Sequence, residues 1–170
     1  CMSWLIKSSI GRKLVMSISG LALILFLTFH MSMNMVALFS GEAYNMVCEF
    51  LGANWYALVA TVGLAALFIV HIVYAFILSY QNRKARGNDR YAIPNRPQGV
   101  EWASQNMMVL GIIVIVGLGL HMFHFWSKMQ LAEIIGQHDL GIAGVSGPTD
   151  GAGLIRYTFA NPINLVLYLV

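Results

Sequence analysis

Four histidines, His30, His71, His121 and His124, lie inside long apolar stretches of this 170-residue chain. Imidazole carries protons and binds metals. An ionisable ring in apolar surroundings is costly, so each of the four is a candidate for function. The alternative is a neutral ring hydrogen-bonded across helices, and one histidine or more in every span argues against that reading. His121 and His124 are three residues apart in "GLGLHMFHFW" (117–126). Three residues advance a helix by about 300°, so the two rings occupy nearby faces and face alone does not choose between them.

The elements that must position these rings follow from composition. With 58% hydrophobic and 10% charged residues and a mean hydropathy of +0.70, the chain has too little polar surface for a water-soluble globule. The expected fold class is an all-α integral membrane protein, a transmembrane helical bundle forming a single domain over 1–170. Spanning the hydrocarbon core takes about 20 residues, and apolar runs at about 14–39, 55–80 and 104–126 meet that length. A fourth run starts near 161, with Pro162 suited to a first helical turn. It continues for only about half a span, so a chain truncated at its C-terminus is expected.

Charge orients the spans. Lys7, Arg12 and Lys13 precede the first, and Arg83, Lys84, Arg86, Arg90 and Arg96 fill the loop between the second and third. The intervening loop carries Glu42 and Glu49 and no Lys or Arg, which places the N-terminus and the basic loop in the cytoplasm. Trp55 and Trp126 then mark the outer interface. Ser127–Ala160, containing "GIAGVSGPTDGAG" (141–153), reads as an irregular outer loop. There is no cleavable signal pattern, because the first apolar run is too long. Cys1 and Cys48 make no disulfide framework, and without Cys-x-x-Cys-His there is no covalent c-type haem. Cys1 before Met2 reads as an artefact of the gene start. No internal repeat, nucleotide-binding glycine motif or catalytic triad pattern occurs, and the net charge of +3 sits in loops flanking helices, which excludes a nucleic-acid partner.

Depth then selects among the histidines. Along ideal helices His30 lies about 24 Å and His121 about 26 Å from the cytoplasmic end of its span, and His71 about 14 Å. An iron held between two imidazoles needs ligands at one height on facing helices, a requirement that His30 and His121 meet. His124 lies about 4.5 Å farther out, beside Trp126 and Lys128, as an interfacial neighbour able to touch a propionate or quinol. His71 has no partner at its depth, since His138 falls in the outer loop, and its fourth-helix partner is expected beyond residue 170. Gly20, Gly63 and Gly117 leave room for a helix or a flat macrocycle. Asn34, one turn after His30, is a candidate to orient a ligand or meet a propionate. The methionines read as flexible filler.

Taken together the residues resemble a family. "SSIGRKLVMSISGLALILFLTFHMSMN" (8–34), with Ser8-Ser9-Ile10-Gly11, the basic pair, Gly20, His30 and Asn34, resembles the first helix of the cytochrome b membrane-anchor subunits of succinate dehydrogenase and fumarate reductase. His71 followed by "YQNRKARG" (80–87) is similar to the end of that family's second helix, and "EWASQNMMVLG" (101–111) leading to His121 and Phe125-Trp126 to its third. The resemblance implies a five-helix anchor in the bacterial inner membrane, two non-covalent b-type haems, a quinone of menaquinone type as substrate, and docking of a flavoprotein (FAD) subunit and an iron–sulfur subunit. It further implies that His30 and His121 ligate the haem distal to the iron–sulfur subunit and His71 the proximal one. The chain would exchange electrons with quinone while succinate or fumarate reacts on the flavoprotein.

Quinone chemistry needs a proton acceptor, and Glu49 and Glu42 lie on the distal side, although a reading as solvated loop carboxylates explains them better. Arg83 and Lys84 are nearest the inner haem, although ordinary topology signals explain them too. Competing expectations are a cytochrome b of a formate dehydrogenase or hydrogenase, which would share histidines without the first-helix match, and a haem-free structural anchor. A transporter would show broken helices and polar groups at the midplane.

Overall fold

The computed structural model describes residues 8–87 and 101–169. Cys1, Lys7, Arg90 and Arg96 lie outside the described residues, as does the side chain of Arg86. Among the described residues every regular element is helical and there is no strand. Helix α1 covers Ser9–Met35 and passes into a 3-10 turn at Val36–Leu38. It is followed by α2 (Gly41–Phe50) and α3 (Trp55–Arg86). A short α4 (Trp102–Gln105) precedes α5 (Met107–His124). After a 3-10 turn at Trp126–Lys128 come α6 (Gln130–Ile134), α7 (Gly151–Ala160) and α8 (Pro162–Leu169).

The stretches Ser9–Leu38, Trp55–Ala85 and Met107–Ile134 are long and apolar enough to cross a membrane. The chain is therefore an all-α, multi-pass membrane bundle. Almost none of the side chains in these stretches is buried within the chain, as expected where lipid rather than protein is the apolar solvent.

Helix ends differ from the hydropathy limits. The first span begins at Ser9 rather than near 14, and the second continues to Arg86 rather than stopping near 80. Hydropathy registers the apolar stretch, whereas a helix extends as long as its backbone bonds are satisfied and its Lys and Arg stems can reach the headgroup layer. Ser8 opens α1 by accepting the Gly11 N–H at 2.9 Å, an N-cap. The third span starts cleanly at Met107, because the chain leaves helical geometry at Asn106 between α4 and α5. Pro162 is the first residue of α8, where its missing N–H costs nothing.

The chain divides into two compact units, Cys1–Leu25 with Leu64–Ile115, and Phe26–Gly63 with Val116–Val170. In the first, the described residues are lengths of the long helices and α4. The second holds the best-packed part of the molecule, in the segment expected to be an irregular loop. Leu154 and Thr158 of α7 and Ala132 of α6 are each 1% exposed, and Tyr44 of α2 is buried with them. Helix α7 packs on α2 so closely that a Cβ at Gly151 would lie 2.5 Å from Cys48 Sγ and 2.7 Å from Tyr44 Cε1. The glycines expected to loosen the segment thus permit a helix to dock. Asp150 caps α7 through the Gly153 N–H at 2.9 Å and receives the Asn45 side-chain amide at 2.8 Å. The Asn45 carbonyl in turn accepts the Ala152 N–H at 2.9 Å. Ser40 caps α2 through the Ala43 N–H.

Candidate functional site

Within the second unit, α1 and α5 bring two of the predicted rings together edge to face. The His30 and His121 ring centres are 5.6 Å apart, with the planes at 90°. Each ring is braced by an aromatic four residues away along the chain, Phe26 within α1 and Phe125 just past the end of α5. Phe26 stacks on His30 at 5.6 Å and 25°, and Phe125 on His121 at 5.4 Å and 28°. The four-residue spacing puts each brace beside its histidine, a signal present in the sequence and unused by the depth argument. Both rings are half-buried. Among the described residues no protein group hydrogen-bonds a ring nitrogen of either, and these nitrogens are not among the buried polar atoms left without a partner.

His124 is placed differently. Its Nδ1 lies 3.3 Å from Tyr168 Oη, and its ring packs against Phe123 and Tyr168. Face could not separate His121 from His124, but the surroundings do: one ring meets His30, the other a tyrosine of α8.

Beyond His30, the polar groups are engaged in holding helices. Asn34 donates its side-chain amide to the His30 carbonyl at 2.8 Å, and its oxygen accepts the Tyr44 hydroxyl at 2.7 Å. It therefore ties the end of α1 to α2, and its contact with His30 is through the backbone rather than the ring. Burial, followed by the neighbouring Cys48, pushes the Tyr44 hydroxyl pKa well up, so this donor stays protonated. Gln130 gathers three elements. Its side-chain oxygen accepts from Thr61 Oγ1 and Trp126 Nε1, both at 2.9 Å, and its amide donates to the Gly52 carbonyl at 3.0 Å. Glu133 accepts the Ala53 N–H at 2.9 Å. Gln130 and Glu133 were not singled out as site residues from the sequence, because a lone Gln or Glu in a presumed loop carries no periodic signal.

No family model, curated protein or solved structure matches this chain.

The remaining candidates divide between the two units. In the first, His71 Nδ1 lies 2.9 Å from Ser19 Oγ, and no second histidine faces it among the described residues. Arg83 and Lys84 are exposed at the end of α3. In the second, Glu42 and Glu49 are exposed on α2. Glu42 lines a shallow depression with Asn45, Asp150 and Arg156, while Glu49 borders a neighbouring one.

Two imidazoles suit an iron that takes one axial ligand on each side. Metal–imidazole bonds of about 2 Å, with about 1 Å more from nitrogen to ring centre, put two centres about 6 Å apart. The His30–His121 separation is close to that span. A Cβ at Gly117, one turn before His121, would meet nothing within 4 Å, and neither would one at Gly63 of α3, so both positions are open among the described residues. Among the described residues no three His, Cys, Asp or Glu side chains converge to hold a metal ion.

Proposed function

We propose that this chain is a haem b membrane subunit of the succinate dehydrogenase and fumarate reductase type. In this reading His30 and His121 hold one haem and His71 supplies an axial ligand of a second. The observation that carries the proposal is the edge-to-face pair of imidazoles at 5.6 Å, with no protein hydrogen bond to their ring nitrogens among the described residues. Bound haem supplies one-electron redox chemistry that no side chain here offers.

The chain's own residues do the rest. Phe26 and Phe125 limit rotation of the two rings, and the Asn34–Tyr44 link fixes the turn of α1 that follows His30. Gly117, one turn before His121, keeps its face open. The apolar spans exclude water, which lowers the local dielectric and tunes a redox potential. Electrons would pass between an iron–sulfur subunit docked at the cytoplasmic face, with its FAD-bearing partner, and a quinone in the bacterial inner membrane. The N-terminus and the Arg83–Lys84 end of α3 lie on the cytoplasmic side in this reading, by the positive-inside rule. Glu49, with Glu42 as second choice, is the proton acceptor proposed for quinol.

The test is the absorption spectrum and haem count of the purified full-length protein. A b-type spectrum is expected, with reduction by a quinol analogue. A chain with no b-type absorption when expressed with ample haem would leave only the membrane-anchor part of the reading.

A further inference from the structure

Ser19 and His71 share a hydrogen bond whose direction is fixed by a third atom. Ser19 is 2% exposed. Its Oγ lies 3.1 Å from the Met16 carbonyl and 2.9 Å from His71 Nδ1. A hydroxyl has one hydrogen to donate, and a carbonyl accepts only. Both contacts are hydrogen bonds only when Ser19 donates to Met16 and His71 Nδ1–H donates to Ser19. The reverse assignment, with Ser19 donating to His71, leaves the Met16 contact without a hydrogen. A neutral ring protonated at Nδ1 has its lone pair on Nε2.

The ring is also seated closely. A Cβ at Gly20 would lie 3.3 Å from His71 Cε1 and 3.9 Å from Nδ1, so α1 presents a residue without a side chain just where the imidazole lies against it. Ser19 and Gly20 together set the height and tilt of the ring, one by a bond and the other by clearance. The Ser-Gly pair thus does for His71 what a carboxylate or carbonyl does for a typical metal-bound histidine, in which the far nitrogen is held so that the near one is free and more basic.

We infer that Ser19 is a positioning residue which holds His71 in the Nδ1–H tautomer and thereby makes Nε2 its metal-binding atom. The tautomer follows from the hydrogen bonds, while the metal-binding role rests on the reading of His71 as a haem ligand.

The test is the imidazole 15N spectrum of the full chain prepared without haem, at a pH where the ring is neutral, with His71 assigned by its loss in His71→Gln. Wild type and Ser19→Thr, which keeps the hydroxyl, are expected to carry the proton on Nδ1. Ser19→Ala is expected to shift toward the Nε2–H form that free neutral imidazole prefers in water. A wild-type ring protonated on Nε2, or a Ser19→Ala spectrum identical to wild type, overturns the inference. In haem-loaded protein, Ser19→Ala is expected to raise the midpoint potential of one haem and leave the other unchanged, because a less basic ligand favours the ferric state less. Equal movement of both potentials would overturn the positioning role. Absence of b-type absorption would remove the haem reading while the 15N spectrum still decides the tautomer.

Discussion

The two units handle their histidines in opposite ways. In the first, His71 is satisfied from within the protein: Ser19 takes one nitrogen and Gly20 accommodates the ring. In the second, His30 and His121 meet edge to face, with aromatic braces and no hydrogen-bond partner among the described residues. Ionisable rings in an apolar layer are expensive, and here they are packed by stacking on Phe26 and Phe125 rather than by hydrogen bonds to protein groups. A single half-buried histidine with a serine partner is compatible with a structural role. A pair of rings in edge contact without such bonds is the arrangement on which the haem proposal rests.

The comparison is broken most sharply by removing one member of the pair. His30→Ala or His121→Ala is expected to abolish one haem of two and leave the His71-linked haem in place, as read by haem count and by the number of steps in a redox titration. Loss of both haems at once would mean that the two sites are not independent. Next in size is Gly117→Ala. Nothing among the described residues obstructs the added methyl, so helicity and thermal stability of the haem-free chain are expected to hold or rise slightly while haem retained at the His30–His121 site falls several-fold. Unchanged haem content would show that the macrocycle does not use this face.

A third change probes what supports the pair. Asp150 caps α7 and holds Asn45 of α2, and losing a helix cap costs about 1–2 kcal/mol. Asp150→Ala is therefore expected to lower the stability of the packed α2–α7 layer by about that amount in a denaturation series, without moving the His71 resonances. The same residue gives an acid dependence. Burial raises its pKa, but hydrogen bonds from the Ser146 and Gly153 backbone, with the Asn45 amide, outweigh that and hold the carboxyl below its ordinary value of 3.8. A carboxyl depressed on folding stabilises above its unfolded pKa, and that contribution is lost as pH falls through the lower folded value. The layer should thus weaken only below about pH 4, and Asp150→Asn should flatten that part of the pH profile. The smallest effect is expected on the exposed carboxylates: Glu42→Gln should leave quinol oxidation close to wild type, whereas Glu49→Gln should slow it, and normal turnover in Glu49→Gln would remove that residue from the proton path.

How much of this was legible in the sequence depended on the length scale of each signal. The three spans and the meeting of His30 with His121 follow from long apolar runs and a rise per residue, quantities that add over a whole helix. The packed segment did not show itself, because "GIAGVSGPTDGAG" reads as loop by composition while its glycines act as clearance for Tyr44 and Cys48. The caps at Ser40 and Asp150 were the available clues, each an N-cap residue directly before a short run that proves helical. Ser19 could be noted as polar in a span, but its pairing with His71 joins positions 52 residues apart. No periodicity of a single helix encodes such a contact. Gln130 and Glu133 were hidden for the same reason.

The most direct test of the central claim is a matched pair of variants three residues apart. His121→Ala and His124→Ala, purified as full-length protein in parallel, differ only in which neighbouring ring is removed. The His30–His121 account predicts that His121→Ala loses one b-type haem and His124→Ala, which removes the contacts with Tyr168 and Phe123, keeps both. Retention of full haem in His121→Ala, or its loss in His124→Ala alone, would contradict it.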